Sequence, residues 1–329
     1  MRGRSAGQPA GATRPDVLVL GAGVIGLSTA VCLAEAGHRV RVWAERLPAE
    51  TTSAVASGVW VPGLTPRDLE WSRVTLAELS ALAGREGTGV HPEWGLEVSD
   101  LSDEQPVWAA ELPEMRPCRP DELPPGMRTG LWARVPMIDL PVYLDFLGTR
   151  LAEAGAELRR RAVGDLAEAA AAAPVVVNCT GVAAGRLAGD PRVRPVRGQH
   201  VVVRNPGVEH FYIEAVDSTE WTGFFPHGDR VLLAGVSQPG DWSLEPDPEV
   251  AEGILRRCAR IEPRFAEAEV LGHLVGLRPG REAARLEEER VGSARVVHNY
   301  GHGGEGVSLS WGSARAVERL LTSWRGRSW

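Results

Sequence analysis

The segment Asp16-Val-Leu-Val-Leu-Gly21-Ala-Gly23-Val-Ile-Gly26 decides the fold of this chain. Its aliphatic run, Val17 to Leu20, predicts a strand buried on both faces, and Val24 to Ala36 predict an amphipathic helix directly after it. The first glycine permits a tight turn, the second lets the backbone approach a diphosphate, and the third lets helix and strand pack closely. The segment therefore predicts a dinucleotide-binding unit.

The residues that follow complete this unit. Gly37 ends the predicted helix, and a second strand is predicted from Arg39 to Trp43. Glu45 comes about 20 residues past the glycines, where a carboxylate usually binds a ribose hydroxyl. An acid here disfavours a 2′-phosphate, which leaves NAD or FAD. A purely structural glycine turn is disfavoured because the strands, the helix and the acid are all in place.

The composition limits the class of protein. The 329 residues can bury a large core and would form one large or two medium domains. The net charge of −7 comes without a dense basic cluster, so a nucleic-acid partner is not expected. The apolar runs are too short to cross a bilayer, and residues 1–14 match no signal peptide. We expect a soluble protein with a disordered N-terminal tail and no membrane partner.

The cysteines and the C-terminus indicate a reducing compartment. Cys32, Cys118, Cys179 and Cys258 lack C-x-x-C spacing, and Cys32 and Cys179 fall in predicted core segments. We therefore expect neither disulfides nor a metal site. The C-terminal Gly326-Arg-Ser-Trp329 is not a peroxisomal signal. Together with the abundant Ala, Arg, Gly and Pro, these features predict a bacterial cytoplasmic protein.

Motifs spread along the chain resemble, in the same order, those of the D-amino acid oxidase family. The resemblance runs from about Asp16 to Leu320. The motifs are Gly21–Ala30, Thr51–Ser53 with Ser57–Pro62, Val177–Val182, Arg197–Gln199, Gly276–Arg281, and His298–Gly306 with Trp311–Gly312. The resemblance implies an α/β fold in which a doubly wound, Rossmann-like FAD-binding domain is interleaved with a mostly antiparallel α+β substrate domain.

Hydrophobic periodicity predicts the elements of these domains. Helices are predicted at 65–84, 136–154 and 308–321, and strands at 174–178, 197–204, 230–235 and 295–298. We expect the FAD-binding domain to comprise 15–64, 137–198 and 268–325, and the substrate domain 65–136 and 199–267. Ligands in such folds lie beyond the carboxyl ends of the parallel strands, where the two domains meet.

The resemblance also implies which residues bind FAD. The glycines and the start of the first helix hold the diphosphate, a charged pair after the second strand holds the adenosine, and a glycine-rich loop near the C-terminus lies against the flavin. The predicted FAD-binding residues are Gly21, Gly23, Val24, Ile25, Gly26, Glu45, Arg46, Thr51, Thr52, Ser53, Ser57, Gly58, Val59, Val163, Thr180, Gly181, Gly301, Gly303, Gly304, Glu305, Gly306, Val307 and Ser308.

Arg281 and Gly304 are the predicted catalytic residues. Arg281 resembles the family's arginine that binds the substrate carboxylate, and a guanidinium suits this task because it offers two parallel N–H donors. Arg278 is the alternative within the same motif, and pairing of Arg281 with Glu282 or Glu287 is the structural alternative. Gly304 would bring backbone amides and carbonyls against the flavin and the substrate amine.

Two positions near the substrate depart from the family's pattern. Gly223 stands where the family has a tyrosine that assists the carboxylate, which is expected to weaken that clamp and open space. Glu305 replaces a tyrosine of animal relatives and is predicted to bind a cationic side chain, unless it faces solvent or pairs with Arg315. Thr222 and Tyr212 complete the predicted substrate-binding set, although packing within its strand is the alternative for Tyr212.

The resemblance implies an oxidase that converts the Cα–N bond of a D-amino acid to an imine, which hydrolyses to a keto acid. O2 is the expected second substrate and is reduced to H2O2. Larger or cationic side chains are an expected preference. Two alternatives stay open: flavin oxidation of an atypical amine, imino acid or modified amino acid, and an NAD-dependent dehydrogenase or inactive FAD-fold binding protein. The sequence does not determine whether the chain forms a homodimer.

Overall fold

The computed structural model describes residues 15–106, 108, 109, 112 and 114–325, so the tail predicted for residues 1–14 lies outside the described residues. The helices are α1 Val24–Glu35, α2 Pro66–Leu82, α3 Leu140–Glu153, α4 Leu166–Ala172, α5 Ala184–Leu187, α6 Pro248–Ile261 and α7 Gly306–Arg325. The strands are β1 Val17–Leu20, β2 Val40–Ala44, β3 Val90–Ser99, β4 Met115–Pro117, β5 Thr129–Ile138, β6 Glu157–Arg160, β7 Val175–Asn178, β8 Arg194–Arg204, β9 Phe211–Ala215, β10 Glu220–His227, β11 Arg230–Val236, β12 Gln238–Pro239, β13 Val270–Gly280, β14 Arg285–Val291 and β15 Ala294–Tyr300.

The first sheet is built around the N-terminal strand. Its order is β14-β15-β7-β1-β2-β6, and its strand pairs are parallel except for β14 with β15. α1, α3 and α7 pack on one face, against Val17 and Val19, and α4 packs on the other face, against Leu18 and Leu20. Helices on both faces of a mainly parallel sheet confirm the predicted doubly wound domain.

The second sheet has the order β12-β8-β11-β10-β9-β3-β5-β4, with β13 on the other side of β8. Its strand pairs are antiparallel except for β3 with β9, as predicted for the substrate domain. Side chains alternate between its two faces. Phe211 and Phe225 join the core of the first domain, whereas Tyr212 and Phe224 join a separate core beneath α6. We call these the inward face and the outer face.

Three elements cross the predicted domain boundaries. β13 lies within the predicted FAD-binding segment 268–325 but pairs with β8 in the second sheet. α2 lies within the predicted substrate segment 65–136 but packs on α7 beside the first sheet. Residues 136–138 continue β5, because they pair with β3, so α3 begins at Leu140, directly after Asp139. In each case, pairing or packing with a segment distant in sequence places the element on the other side of the predicted boundary.

A buried hydrogen bond joins α7 to α3 in the core of the first domain. Trp311 Nε1 donates to Tyr143 Oη over 2.7 Å, and both side chains are fully buried. We expect Tyr143→Phe to lower the free energy of unfolding by about 1–3 kcal/mol, because the indole N–H is left unpaired away from water. Urea unfolding measures this loss. The Tyr143→Phe/Trp311→Phe double variant is the control, and additive losses would show that the two groups are not coupled.

The other composition-based expectations concern membranes, metals and disulfides. None of the helices in the described residues is both long and apolar enough to cross a bilayer. Within the same residues, no group of three or more potential metal ligands comes together. The four cysteines are free thiols, and Cys32 and Cys179 are buried as predicted.

Candidate active site

Loops at one edge of the first sheet carry the predicted FAD-binding residues. Gly21 follows β1, Glu45 follows β2, Val163 lies just beyond β6, Thr180 follows β7 and Gly301 follows β15. Because these strands are parallel, their carboxyl ends point to the same edge, and loops from distant parts of the chain meet there. The fold thus brings the loops that carry these predicted residues to one edge of the first sheet.

The glycine turn after β1 fits a diphosphate. Gly21 has a φ of +102°, and a Cβ on it would overlap the carbonyl oxygen of Cys179. A Cβ on Gly26 would overlap the backbone of Gly21, so helix and strand are in direct contact. By contrast, the atom nearest to a Cβ on Gly23 is the Ser53 hydroxyl oxygen, at 3.0 Å. Gly21 and Gly26 are required by the fold, whereas Gly23 keeps the start of α1 open for a phosphate group.

The segment after β2 links this turn to the second sheet and to α7. The first amide of α1 donates to Ser53 Oγ over 3.0 Å, and Thr52 Oγ1 donates to the carbonyl of Leu277 over 3.2 Å. The amide of Val61 donates to Ser308 Oγ over 3.0 Å. Residues predicted to bind the phosphates and the flavin ring therefore belong to one hydrogen-bonded unit. This arrangement fits FAD, which needs a flavin site next to the dinucleotide turn.

The residues predicted to bind the adenosine and the phosphates differ in whether their side chains already form hydrogen bonds within the protein. Glu45 and Arg46 are exposed at the end of β2. Thr51 Oγ1 donates to a carbonyl in its own turn, and Thr180 Oγ1 donates to Asn178 Oδ1 over 2.7 Å. Since both hydroxyls are already used within the protein, contacts to a cofactor there would come from the backbone.

Two histidines that the motif analysis missed hold the predicted flavin segment in place. His200 Nε2 lies 3.2 Å from Ser57 Oγ, and His227 Nε2 donates to the carbonyl of Ser57 over 2.9 Å. Burial, together with the nearby charge of Arg278, lowers the pKa of His200 to about 3. His200 is thus neutral and acts as a hydrogen-bonding support. His200 directly follows the Arg197–Gln199 motif, and that position is the sequence signal that could have found it.

Arg281 already has a partner inside the protein. Its Nε donates to Asp190 Oδ2 over 3.1 Å, and its Nη1 donates to the carbonyl of Ala283. Asp190 is buried, and its hydrogen bonds with Arg192 and Arg281 hold its pKa well below the usual range. Tyr300 Oη also donates to Asp190, over 3.2 Å. This network corrects the assignment of Arg281 as the carboxylate-binding residue. The Arg281 guanidinium already forms an ion pair with Asp190 and a hydrogen bond with a backbone carbonyl, so it is not free to bind a substrate.

Arg278, the alternative in the same motif, has no acidic partner among the described residues. Its Nη1 donates to the carbonyl of Val236 over 3.1 Å, and burial lowers its pKa. The guanidinium lies against Gly198, where a Cβ would come within 2.6 Å of it. A Cβ on Gly304 would lie 3.6 Å from Arg278 Cδ. A desolvated guanidinium therefore stands beside the predicted flavin-edge loop with its charge uncompensated.

The glycine-rich loop before α7 is held to β13 by a hydrogen bond at Gly303 and is exposed to solvent at Gly304. The amide of Gly303 donates to the carbonyl of Pro279 over 3.1 Å, which ties the loop to β13. Gly304 is exposed between half-buried neighbours. His302 is buried, lies against Trp71 and has a pKa lowered to about 4 by burial. The loop thus presents backbone at Gly304 and a neutral imidazole behind it.

Glu305 is half-buried at the start of α7. Burial, and secondarily the nearby Asp68, raise the pKa of its carboxyl group. The alternative pairing with Arg315 does not occur, because Arg315 binds Glu78 and Glu318, each over 3.0 Å. The prediction that Glu305 recognises a cationic side chain stays a prediction.

The space expected beside Gly223 is filled by a neighbouring indole. A Cβ on Gly223 would lie 2.5 Å from the Trp221 ring and 3.2 Å from the Phe225 ring, which places these side chains together on the inward face. Trp221 therefore supplies the wall that a tyrosine at position 223 would otherwise form. The sequence signal for this is the spacing of two residues along a strand, which places Trp221 and Gly223 on the same face.

Tyr212 and Thr222 do not belong to this wall. Tyr212 is buried on the outer face, where it stacks on Phe224 at 5.3 Å, and its Oη donates to Glu214. The amide of Thr222 donates to Glu214 Oε2 over 2.7 Å. Their assignment as substrate-binding residues is corrected, because strand alternation directs them away from the cleft. The alternative of packing within the strand is the one observed for Tyr212.

A dinucleotide cleft beside a mostly antiparallel substrate sheet, with an uncompensated guanidinium where they meet, defines a flavin-dependent oxidoreductase. The model of the FAD-dependent oxidoreductase family named DAO matches residues 16–320. A D-amino-acid oxidase of Streptomyces coelicolor is 50% identical over 93% of this chain and 97% of its own length, and one of Rubrobacter xylanophilus is 46% identical over 92% and 94%.

Solved structures show the same fold. The glycine oxidase of Geobacillus kaustophilus superposes with a TM-score of 0.79 at 21% identity and covers 96% of each chain. The chain thus belongs to the FAD-dependent oxidoreductase family of the D-amino-acid oxidase type, and FAD is its cofactor. The predicted recognition, fold class and cofactor are confirmed, and the NAD-dependent alternative is not supported.

Proposed function

We propose that this enzyme oxidises D-amino acids at the Cα–N bond, with Arg278 as the residue that binds the substrate α-carboxylate. The observation that carries this proposal is the guanidinium of Arg278, which is desolvated and without an acidic partner in the described residues. A bound carboxylate would supply the missing charge through two parallel hydrogen bonds. The identity of the curated relatives supports a D-amino acid as the substrate.

The other groups around the cleft orient the substrate and exclude water. The carbonyl of Gly304 would accept a hydrogen bond from the substrate amine, because this residue is exposed and lies beside Arg278. Trp221, which lies beside Gly223 on the inward face, would cover the bound substrate and exclude water from the reacting carbon. Once bound, FAD supplies two-electron redox chemistry. Positioning would then carry most of the rate.

No acid–base residue is required by this arrangement. His200 and His302 are both held neutral by burial, and His200 already faces the Ser57 hydroxyl. The amine itself, in its neutral form, assists the loss of the α-hydrogen with its electron pair. The resulting imine takes up water and releases ammonia, which gives a keto acid, and O2 is reduced to H2O2.

Matched enantiomers test the substrate class. We expect anaerobic D-amino acids to bleach the visible flavin absorption of the purified holoenzyme, and the L-enantiomers with the same side chains to leave it unchanged. The fixed positions of Arg278 and Gly304 hold the carboxylate and the amine, so only one enantiomer points its α-hydrogen at the flavin. Equal bleaching by amines that lack a carboxylate would reject the proposal and favour the alternative of an atypical amine substrate. Whether the chain forms a homodimer is a separate question, which analytical ultracentrifugation answers.

A further inference from the structure

Two glycines stand directly opposite each other on the inward face of the second sheet. Gly198 lies on β8 and Gly276 on β13, and the strand register pairs them. Residues paired across antiparallel strands share a face of the sheet, with their Cβ positions about 5 Å apart. Neither glycine has a positive φ, so backbone conformation does not explain why both positions lack a side chain. The contacts above them do.

The guanidinium of Arg278 rests on Gly198. A Cβ at position 198 would lie 2.6 Å from Nη2, 2.7 Å from Cζ and 2.8 Å from Nη1, and these nearly equal distances show that the guanidinium lies flat on the glycine. Arg278 belongs to β13, and its Nη1 donates to the carbonyl of Val236 in β11, on the other side of β8. The side chain therefore crosses over β8, which the absence of a side chain at position 198 permits.

The segment Thr52–Val55 rests on Gly276. A Cβ at position 276 would lie 2.9 Å from a methyl group of Val55 and 3.1 Å from that of Thr52. The Thr52 hydroxyl donates to the carbonyl of the next residue in β13, Leu277, over 3.2 Å. Ser53 in the same segment accepts the hydrogen bond from the first amide of α1. The segment predicted to bind the phosphates is thus supported about one strand spacing, roughly 4.8 Å, from the glycine under Arg278.

We propose that Gly198 and Gly276 are positioning residues, the first for the substrate carboxylate and the second for FAD. This inference rests on the proposed function, because Gly198 acts through Arg278. A guanidinium carries five N–H donors, and the bond to Val236 leaves the others to meet a carboxylate in the plane that Gly198 fixes. Non-bonded atoms prefer separations of about 3.5–4 Å, so a methyl group at either glycine would displace its neighbour by roughly 0.5–1 Å.

Gly198→Ala tests the role in substrate binding, with the flavin-loaded enzyme and D-methionine as the substrate. We expect kcat/KM to fall at least about tenfold, because a displacement of about 1 Å misaligns the hydrogen bonds to the carboxylate. The Kd for FAD should stay within about twofold of wild type. In the Arg278→Met background the same substitution should change kcat/KM less than about twofold, because no guanidinium is left to displace.

Gly276→Ala tests the role in FAD binding. We expect the Kd for FAD, measured by flavin fluorescence as the apoprotein is titrated, to rise at least about fivefold, because the added methyl group shifts Thr52 and with it the Ser53 contact to α1. The flavin-saturated enzyme should keep kcat/KM within about threefold of wild type. Gly272→Ala in the same strand is the matched control, since no described atom beyond its chain neighbours lies within 4 Å of its Cβ position. Both quantities should stay within about twofold in the control.

Equal losses of kcat/KM for Gly198→Ala in the wild-type and Arg278→Met backgrounds would overturn the role of Gly198, and so would no loss in either. A loss in Arg278→Met alone still upholds the proposed function, whereas full activity of Arg278→Met overturns both. If the overlap unfolds Gly198→Ala, the double variant should fold again, as its Tm would show, and failure of the double variant to fold would overturn the inference. An unchanged Kd for FAD in Gly276→Ala would overturn the role of Gly276.

Discussion

Arg278→Met should lower kcat/KM for the best D-amino acid by roughly 150-fold, or about 3 kcal/mol of transition-state stabilisation. The physical reason is that the substrate carboxylate would enter a desolvated site and find no positive charge there. FAD content should stay near that of wild type, because Arg278 lies beside Gly304 and not at the glycine turn after β1. Steady-state kinetics on the flavin-loaded variant measures the loss.

Arg281→Met provides the control three residues away. Removing Arg281 leaves the buried Asp190 with Arg192 and Tyr300 as its remaining partners, so we expect a lower Tm. The fraction that folds should keep kcat/KM within about threefold of wild type, because the guanidinium does not face the substrate. The opposite pattern, with catalysis lost in Arg281→Met and kept in Arg278→Met, would restore the assignment made from the motif.

Gly23→Val should yield folded protein without FAD. The valine side chain would project into the open space at the start of α1, where the diphosphate must touch the backbone. Within the protein the atom nearest to its Cβ is Ser53 Oγ, at 3.0 Å, and a shift of this side-chain end by a few tenths of an ångström lets the fold tolerate the valine. The ratio of flavin to protein absorption, together with far-ultraviolet circular dichroism, measures the two effects separately.

Gly26→Ala is the contrasting variant, because its Cβ would overlap the backbone of Gly21. We expect this protein to be destabilised or insoluble, since neither the helix nor the strand can move without breaking the turn. If Gly23→Val retained stoichiometric FAD, the glycine turn would be a structural feature alone, and the cofactor would bind elsewhere.

The dinucleotide unit was predictable because its determinants are local. β1, the glycine turn and α1 are consecutive in the chain, and each glycine has a different steric role that neighbouring residues impose. Two strands of the second sheet, predicted at 197–204 and 230–235, correspond to β8 and β11, since alternation of apolar residues reflects the two faces of the sheet. The exact domain boundaries were not predictable, because β13 and α2 take their places from partners far away in the chain.

The motifs of the candidate site could be found in the sequence. Which of their side chains are left without a partner inside the protein could not. The motif containing Arg278 and Arg281 held both candidates, and Asp190, 91 residues before Arg281, decides between them. From the sequence, Gly223 was expected to leave open space beside the substrate, whereas the Trp221 ring occupies that space. Charge and volume at a site depend on which groups are already paired, and pairing is a property of the folded chain.

The sequence by itself determined that this protein has a dinucleotide-binding sheet and belongs with FAD-dependent oxidoreductases, because glycines and buried strands act over a few residues. Only the tertiary structure decided which arginine is uncompensated and which face of β10 packs toward the first domain. The reason is that a buried charge is defined by its desolvation and by its partners, and both are supplied by segments distant in sequence.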